Sequence, residues 1–270
     1  MLKQRVLSAL IFVPISLCLA FLGGAAFNLF WIVVLVFASF EFVRMVRNAG
    51  FQLSYPLLIG MIVVLSLLSW RYGLSFDSAV LPGFFLVCGA YAIWQFEQGD
   101  EKALQNLALH IFGAIYIGVL GSYGISLNEG WLQGNWWLLL IIALIWLADA
   151  GAYLVGTRFG KTAILPRLSP KKTLEGFFGG LLTGIVAGFL LGWLLMDKLP
   201  EMGIWKGALL GGIMSLLAFF GDALMSLIKR TAGMKDTGKL LPGHGGILDR
   251  LDSMLWALVV GYYFSRFFVL

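Results

Sequence analysis

Long unbroken apolar runs constrain this chain more than any other feature. Nine segments, near 6–22, 25–46, 55–70, 78–96, 103–127, 135–157, 173–196, 203–228 and 251–268, are almost free of charge. Each has about the 17–25 residues that an α-helix needs to cross the hydrocarbon of a bilayer. Charged residues make up 12% of the chain and apolar ones 60%, too little charge to solvate a soluble domain of this size. The runs are continuous, whereas a membrane β-barrel would show short alternating segments. The expected fold class is all-α: a polytopic integral membrane helical bundle of about nine transmembrane helices. No soluble domain, long linker or internal repeat is visible, so 1–270 reads as a single membrane domain.

Orientation follows from the basic residues. With the N-terminus in the cytoplasm, fifteen of the 19 lysines and arginines fall on the inner side. Arg71, Lys198, Lys206 and Arg266 fall on the outer side. This asymmetry fits nine spans with the N-terminus in and the C-terminus out. Lys3, Arg5, the first apolar run and the small residues at 23–26 also suit a cleavable leader, and cleavage would leave the remaining topology unchanged. Cys18 and Cys88 lie inside apolar runs and are expected as free, buried thiols. The seventh run carries Gly176, Gly180, Gly184, Gly188 and Gly192, one small residue every four. Such a stripe lets another helix approach closely, as internal packing first and as the seam of a possible homodimer second.

Against this apolar background, residues 226–252 concentrate five basic residues, three aspartates, one histidine and five glycines. Cations for phosphate oxygens, carboxylates for a metal and glycines for close backbone approach are the parts of a phosphate site. Asp222, Ser226, Lys229 and Arg230 follow helical spacing along one face. Asp249 and Asp252 are three apart on the last helix, just after Gly245 and Gly246. Glycine-rich backbone entering a helix offers free N–H groups to an anion. Lys235, Asp236 and Lys239 occupy the preceding loop, and His244 can donate a hydrogen bond to phosphate. Buried carboxylates cost at least ~2.5 kcal/mol each in a membrane, so Asp149 and Asp222 need protein, water or a cation beside them. Glu41 stands three residues before Arg44 and is expected to pair with it. His110 is expected to be structural. Ser169 and Pro170 suit the cap and first turn of the seventh span, which would place Lys171 and Lys172 in that turn. Aspartates in polar surroundings favour a hard cation, Mg²⁺ first, with room for a second cation.

Together these residues resemble the signature of the phosphatidate cytidylyltransferase family, also called CDP-diacylglycerol synthases. Ser226, Lys229, Arg230, Lys235, Asp236, Gly238, His244, Gly245, Gly246, Asp249, Arg250 and Asp252 occupy that pattern without a departure. The resemblance covers about a tenth of the chain, with Asp149, the 169–176 segment and Asp222 as further likenesses. It implies an enzyme that joins CTP and phosphatidic acid into CDP-diacylglycerol and pyrophosphate with a divalent metal. Implied catalytic residues are Asp222, Asp249, Asp149 and Lys172, with Asp222, Asp249 and Asp252 toward the metal. Lys171, Lys172, Ser226, Lys229, Arg230, Lys235, Asp236, His244, Gly245, Gly246 and Arg250 would bind substrate. Residues 1–130 would then be mainly scaffold, and 135–270 would hold the catalytic spans and cytoplasmic loops. The expected setting is the bacterial inner membrane, with membrane lipids around the bundle, the site on the cytoplasmic side and no nucleic-acid partner. CTP and a two-chained lipid cannot share an entry path cheaply, so a polar opening and a lateral gap between helices are expected. The alternatives are a relative acting on an ether-lipid phosphate and a transporter of an anionic solute with charges at mid-membrane. The aspartate pattern of CDP-alcohol phosphotransferases is absent.

Overall fold

In the computed structural model, which describes residues 2–74, 77–129, 133–238 and 245–269, every apolar run becomes a helical rod. The rods are α1 (Leu2–Leu22), α2 (Gly24–Asn48), α3 (Tyr55–Tyr72) and α4 (Asp77–Glu97). The fifth rod is α5 (Ala103–Gly113), a π-helical segment (Ala114–Val119) and α6 (Leu120–Glu129) in continuous succession. Then come α7 (Gly134–Phe159), α8 (Leu174–Leu194), α9 (Gly203–Thr231) and α10 (Leu248–Val269). Among the described residues, seven of these rods are long and apolar enough to cross a membrane. α10 falls outside that set, punctuated by Asp249, Arg250, Asp252 and Arg266.

The ends are set locally. Gly23, at φ 64°, breaks α1 from α2, a backbone region that costs glycine nothing. Ser54 caps α3 by accepting from the Leu57 N–H, with Pro56 in the first turn. The start of α8 differs from the sequence expectation. Residues Ser169–Thr173 are not a helical turn but strand β2, paired antiparallel with β1 (Ala163–Leu165). Thr173, not Ser169, caps α8 through the Gly176 N–H. Extended backbone suits the residue before Pro170, and the hairpin base is closed by Glu175 Oε2, which accepts from the N–H groups of Lys161 and Thr162. Lys171 and Lys172 therefore precede the helix dipole rather than oppose it.

The chain divides into two compact units, residues 1–130 with 231–251, and residues 131–230 with 252–270. In the first unit, α2, α3 and the fifth rod enclose Leu35, Phe42, Leu58, Ile62, Leu65 and Ile117, all fully buried. Gly113, Gly118 and Gly121 lie hard against Phe42, Leu58, Leu65 and Leu35, so the π segment is packed flush onto its neighbours. His110 is structural, as expected. Its Nε2 accepts from the Ser54 N–H at 2.9 Å, which leaves the ring proton on Nδ1, 2.8 Å from the Asn106 carbonyl. Cys88 is buried and free, but Cys18 is free and exposed. α1 packs on α2 and leaves Phe12, Ile15, Phe21 and Leu22 open on its other side, and Cys18 belongs to that open side.

In the second unit the glycine stripe of α8 is consumed within the chain. Gly176 and Gly180 meet Ala152, Gly156 and Ala148 of α7, while Gly184, Gly188 and Gly192 meet Gly203, Gly207, Gly211 and Ser215 of α9. A period of four drifts slowly around a 3.6-residue helix, so one stripe serves two neighbours in turn. Ser215 Oγ bridges the seam, bonding the carbonyls of Gly180 and Gly211. A Cβ at Gly184 would overlap Ser215 Oγ and stand 2.6 Å from the Gly211 carbonyl. Gly184→Leu is expected to force α8 and α9 apart at a cost of about 2–3 kcal/mol or more. In detergent this should read as a melting temperature lower by several degrees with unchanged particle mass. A smaller particle with unchanged melting would instead place the stripe at a dimer seam.

Candidate functional site

Two polar clusters stand out, one in each unit. The first is built on α9, which at 29 residues is ~43 Å long and outlasts the hydrocarbon. Its apolar face packs on α8, and its polar face carries Asp222, Ser226, Lys229 and Arg230 toward the end. Asp222 Oδ2 is paired with Lys172 Nζ at 2.7 Å, and Ser226 Oγ donates to Asp222 Oδ1 at 3.3 Å. Neighbours on a strand face opposite sides. Lys172 thus turns inward to Asp222 and lies 5.1 Å above the Phe219 ring, while Lys171 is exposed. Arg230 Nε donates to the Leu168 carbonyl at 3.3 Å, tying α9 to the hairpin turn. Asp252, on α10, lies within electrostatic range of Asp222, Asp149 and Lys229. Its Oδ1 accepts from the Ser253 N–H at 2.7 Å. Asp149, on α7, is exposed. The structure therefore gathers Asp222, Lys172, Ser226, Asp252, Asp149 and Lys229 from four separate segments.

The second cluster is the loop after α9. Asp249 Oδ2 accepts from the N–H of Thr237 at 2.9 Å, the Thr237 hydroxyl at 3.0 Å and the N–H of Gly246 at 3.1 Å. That oxygen folds the loop back on the start of α10. Gly245 has φ 84°, a left-handed backbone that glycine adopts without strain. Lys235, Asp236 and Arg250 are exposed around this turn. His244 and Lys239 lie outside the described residues. Glu41 differs from expectation. Instead of Arg44, the structure gives it the Thr237 hydroxyl at 3.2 Å and the Leu248 N–H at 2.9 Å. Neither Glu41 nor Thr237 was identified with this loop from the sequence. The available signal was an acid in an apolar run, which demands a partner but does not name it.

Among the described residues, no three carboxylate, imidazole or thiol side chains converge tightly enough to form a ready-made metal cage. Mg²⁺ does not need one. It is commonly held by one or two carboxylates, with substrate phosphates and water completing its shell. Asp252 is repelled by both Asp222 and Asp149, and three carboxylates against Lys172 and Lys229 leave net negative charge that suits a hard cation, so the residues fit. Between α7 and α8, Leu147, Leu182, Thr183, Val186, Ala187, Leu190, Leu191 and Leu194 line an apolar groove of about 510 Å³.

Comparison with known proteins identifies the family. A family model described as the cytidylyltransferase family matches residues 3–268. The phosphatidate cytidylyltransferase of Mycobacterium tuberculosis (strain ATCC 25618 / H37Rv) is 34% identical, over 96% of this chain and 82% of its own length. That of Synechocystis sp. is 33% identical, over 97% of this chain and 95% of its own. That of Thermotoga maritima is 29% identical, with 97% and 95% covered.

Proposed function

Because the chain belongs to the cytidylyltransferase family, we propose that it transfers the cytidylyl group of CTP to phosphatidic acid, giving CDP-diacylglycerol and pyrophosphate. A phosphatidate oxygen attacks the α-phosphorus of CTP, and the bond from that phosphorus to the β-phosphate oxygen breaks. A phosphate monoester has a second pKa of ~6 and is already anionic near neutrality, so the nucleophile needs little help from a general base. The task is to hold two anions in line and neutralise their repulsion.

The observation that carries this proposal is the Lys172–Asp222 pair with Asp252 and Asp149 around it: a lysine and several carboxylates toward the C-terminal end of a long helix. Asp222 and Asp252 would hold Mg²⁺, which when bound offsets phosphate charge and fixes phosphate orientation. Lys172, held inward by its strand, places an ammonium beside those carboxylates, while Lys171, Lys229 and Lys235 supply positive charge to arriving CTP. The turn at Gly245 and Gly246, free of side chains, would let phosphate oxygens approach the backbone closely, while the Gly246 N–H stays with Asp249 Oδ2. The groove lined by Leu147 and Leu190 suits one acyl chain of the lipid, and its wall includes Leu147, two residues from Asp149.

We place the site on the cytoplasmic side of a bacterial inner membrane, the side favoured by the basic residues. Purified protein given radiolabelled CTP, phosphatidate and Mg²⁺ should form a lipid-soluble nucleotide. Absence of that product, with protein stably folded, would sink the assignment. For the sidedness, Cys18→Ser removes the exposed native thiol, and Asp236→Cys adds one on the exposed loop. An impermeant thiol reagent should reach position 236 from the cytoplasmic side, and CTP with Mg²⁺ should protect it. Labelling from the opposite side alone would reverse the orientation.

A further inference from the structure

Glu41 is 2% exposed on α2. A carboxylate buried this deeply is costly unless it is hydrogen-bonded. Its donors come from far along the chain: the Thr237 hydroxyl, 196 residues away, and the Leu248 N–H, 207 residues away. The glycines nearby complement the same carboxylate. A Cβ at Gly238 would collide with Glu41 Oε1, and one at Gly246 would collide with Glu41 Oε2 and Thr237 Oγ1. Thr237 stands between two acids, its hydroxyl 3.2 Å from Glu41 Oε2 and 3.0 Å from Asp249 Oδ2. One hydroxyl proton serves one acceptor well at a time. Asp249 keeps two N–H donors on that oxygen besides, from Thr237 and Gly246. Glu41 therefore braces both ends of the loop, at 237–238 and at 246–248, against a packed helix.

We propose that Glu41 is a positioning residue for the nucleotide. Its carboxylate fixes the loop so that Asp249 and the backbone of Gly245 and Gly246 are already set when the phosphates of CTP arrive. It acts through the loop and does not touch the reacting atoms. The proposal rests on the cytidylyltransferase function stated above. It adds a determinant in the first half of the chain, on a span that otherwise provides packing.

The test uses the full chain in detergent, with Glu41→Met, Thr237→Val and the double variant. Methionine keeps the length of the side chain but removes the acceptor that the Thr237 hydroxyl and the Leu248 N–H share, Glu41 Oε2. Amide hydrogen exchange across 245–251 should accelerate about tenfold in Glu41→Met, with exchange in α7 and α8 unchanged. The KM for CTP should rise about tenfold, while the KM for phosphatidate stays within about twofold. The double variant should be no worse than the more impaired single variant, since both remove one linkage. Unchanged exchange in 245–251 would overturn the proposal whatever the turnover. Accelerated exchange with equal changes in both KM values, or with only a lower yield of folded protein, would reduce Glu41 to a purely structural part and overturn it too. A wild-type protein that forms no liponucleotide would instead sink the functional assignment, and the exchange measurement would still decide whether Glu41 braces the loop.

Discussion

Asp222→Asn is expected to lower turnover by about two to three orders of magnitude, the scale seen when one preorganised electrostatic contact is lost, while the protein still inserts and purifies normally. Asparagine keeps the shape and can still accept from Ser226, whose hydroxyl lies 3.3 Å from Oδ1. What disappears is the negative charge that faces Lys172 at 2.7 Å. The Asp222 side chain is 42% exposed, so water screens its side of the pair, while Lys172 Nζ is buried and is left facing a neutral amide in the variant. The expected pattern is therefore a large loss of turnover beside a melting temperature lower by a few degrees. Raising Mg²⁺ should recover part of the activity if Asp222 holds the ion. Normal turnover of Asp222→Asn in saturating Mg²⁺ would remove this residue from the metal site.

Gly246→Ala should be nearly as damaging, for a steric reason. The added methyl would collide with Thr237 Oγ1 and Glu41 Oε2, and would stand 2.8 Å from the Gly238 nitrogen. Two of these three neighbours are held by hydrogen bonds and the third is backbone, so no flexible side-chain end can swing away. The loop must leave its seat. Turnover should fall by about a hundredfold, equivalent to ~2.7 kcal/mol in the barrier. Gly245→Ala should be milder. It meets Asp249 Oδ2 at 3.1 Å and a left-handed φ of 84°, which costs a residue with a Cβ roughly 1–2 kcal/mol. Turnover and melting temperature measured side by side check the ranking. Equal activity of the two variants would remove the special status of position 246.

The helical rods were legible because apolar length is a strong, local signal, and the boundaries in the structure lie within a few residues of those expected. The Asp222 cluster was legible in part. Helical spacing placed Ser226, Lys229 and Arg230 on one face with Asp222, and the burial cost of an acid required a counter-charge. That Lys172 supplies it depends on a strand turning alternate residues in opposite directions, and the segment was expected to be helical. Ser169 and Pro170 carried a good cap signal, but pairing with β1 held 169–173 extended and moved the cap to Thr173. Glu41 shows the limit most clearly. Spacing along one helix pointed to Arg44, whereas a donor almost two hundred residues away leaves no periodic trace.

The fit between Glu41 and the glycines at 238 and 246 has a consequence for engineering by exchange. The loop after α9 looks like a portable cassette: short, rich in motif residues and bounded by two helices. It is not portable, because its backbone is shaped around a carboxylate encoded near the other end of the gene. A chimera that imports this loop from a relative should work when position 41 comes from the same parent and fail when it does not. Swapping loop and α2 together should restore what either swap alone removes. The unit of exchange in this protein is therefore a pair of distant segments that must travel together.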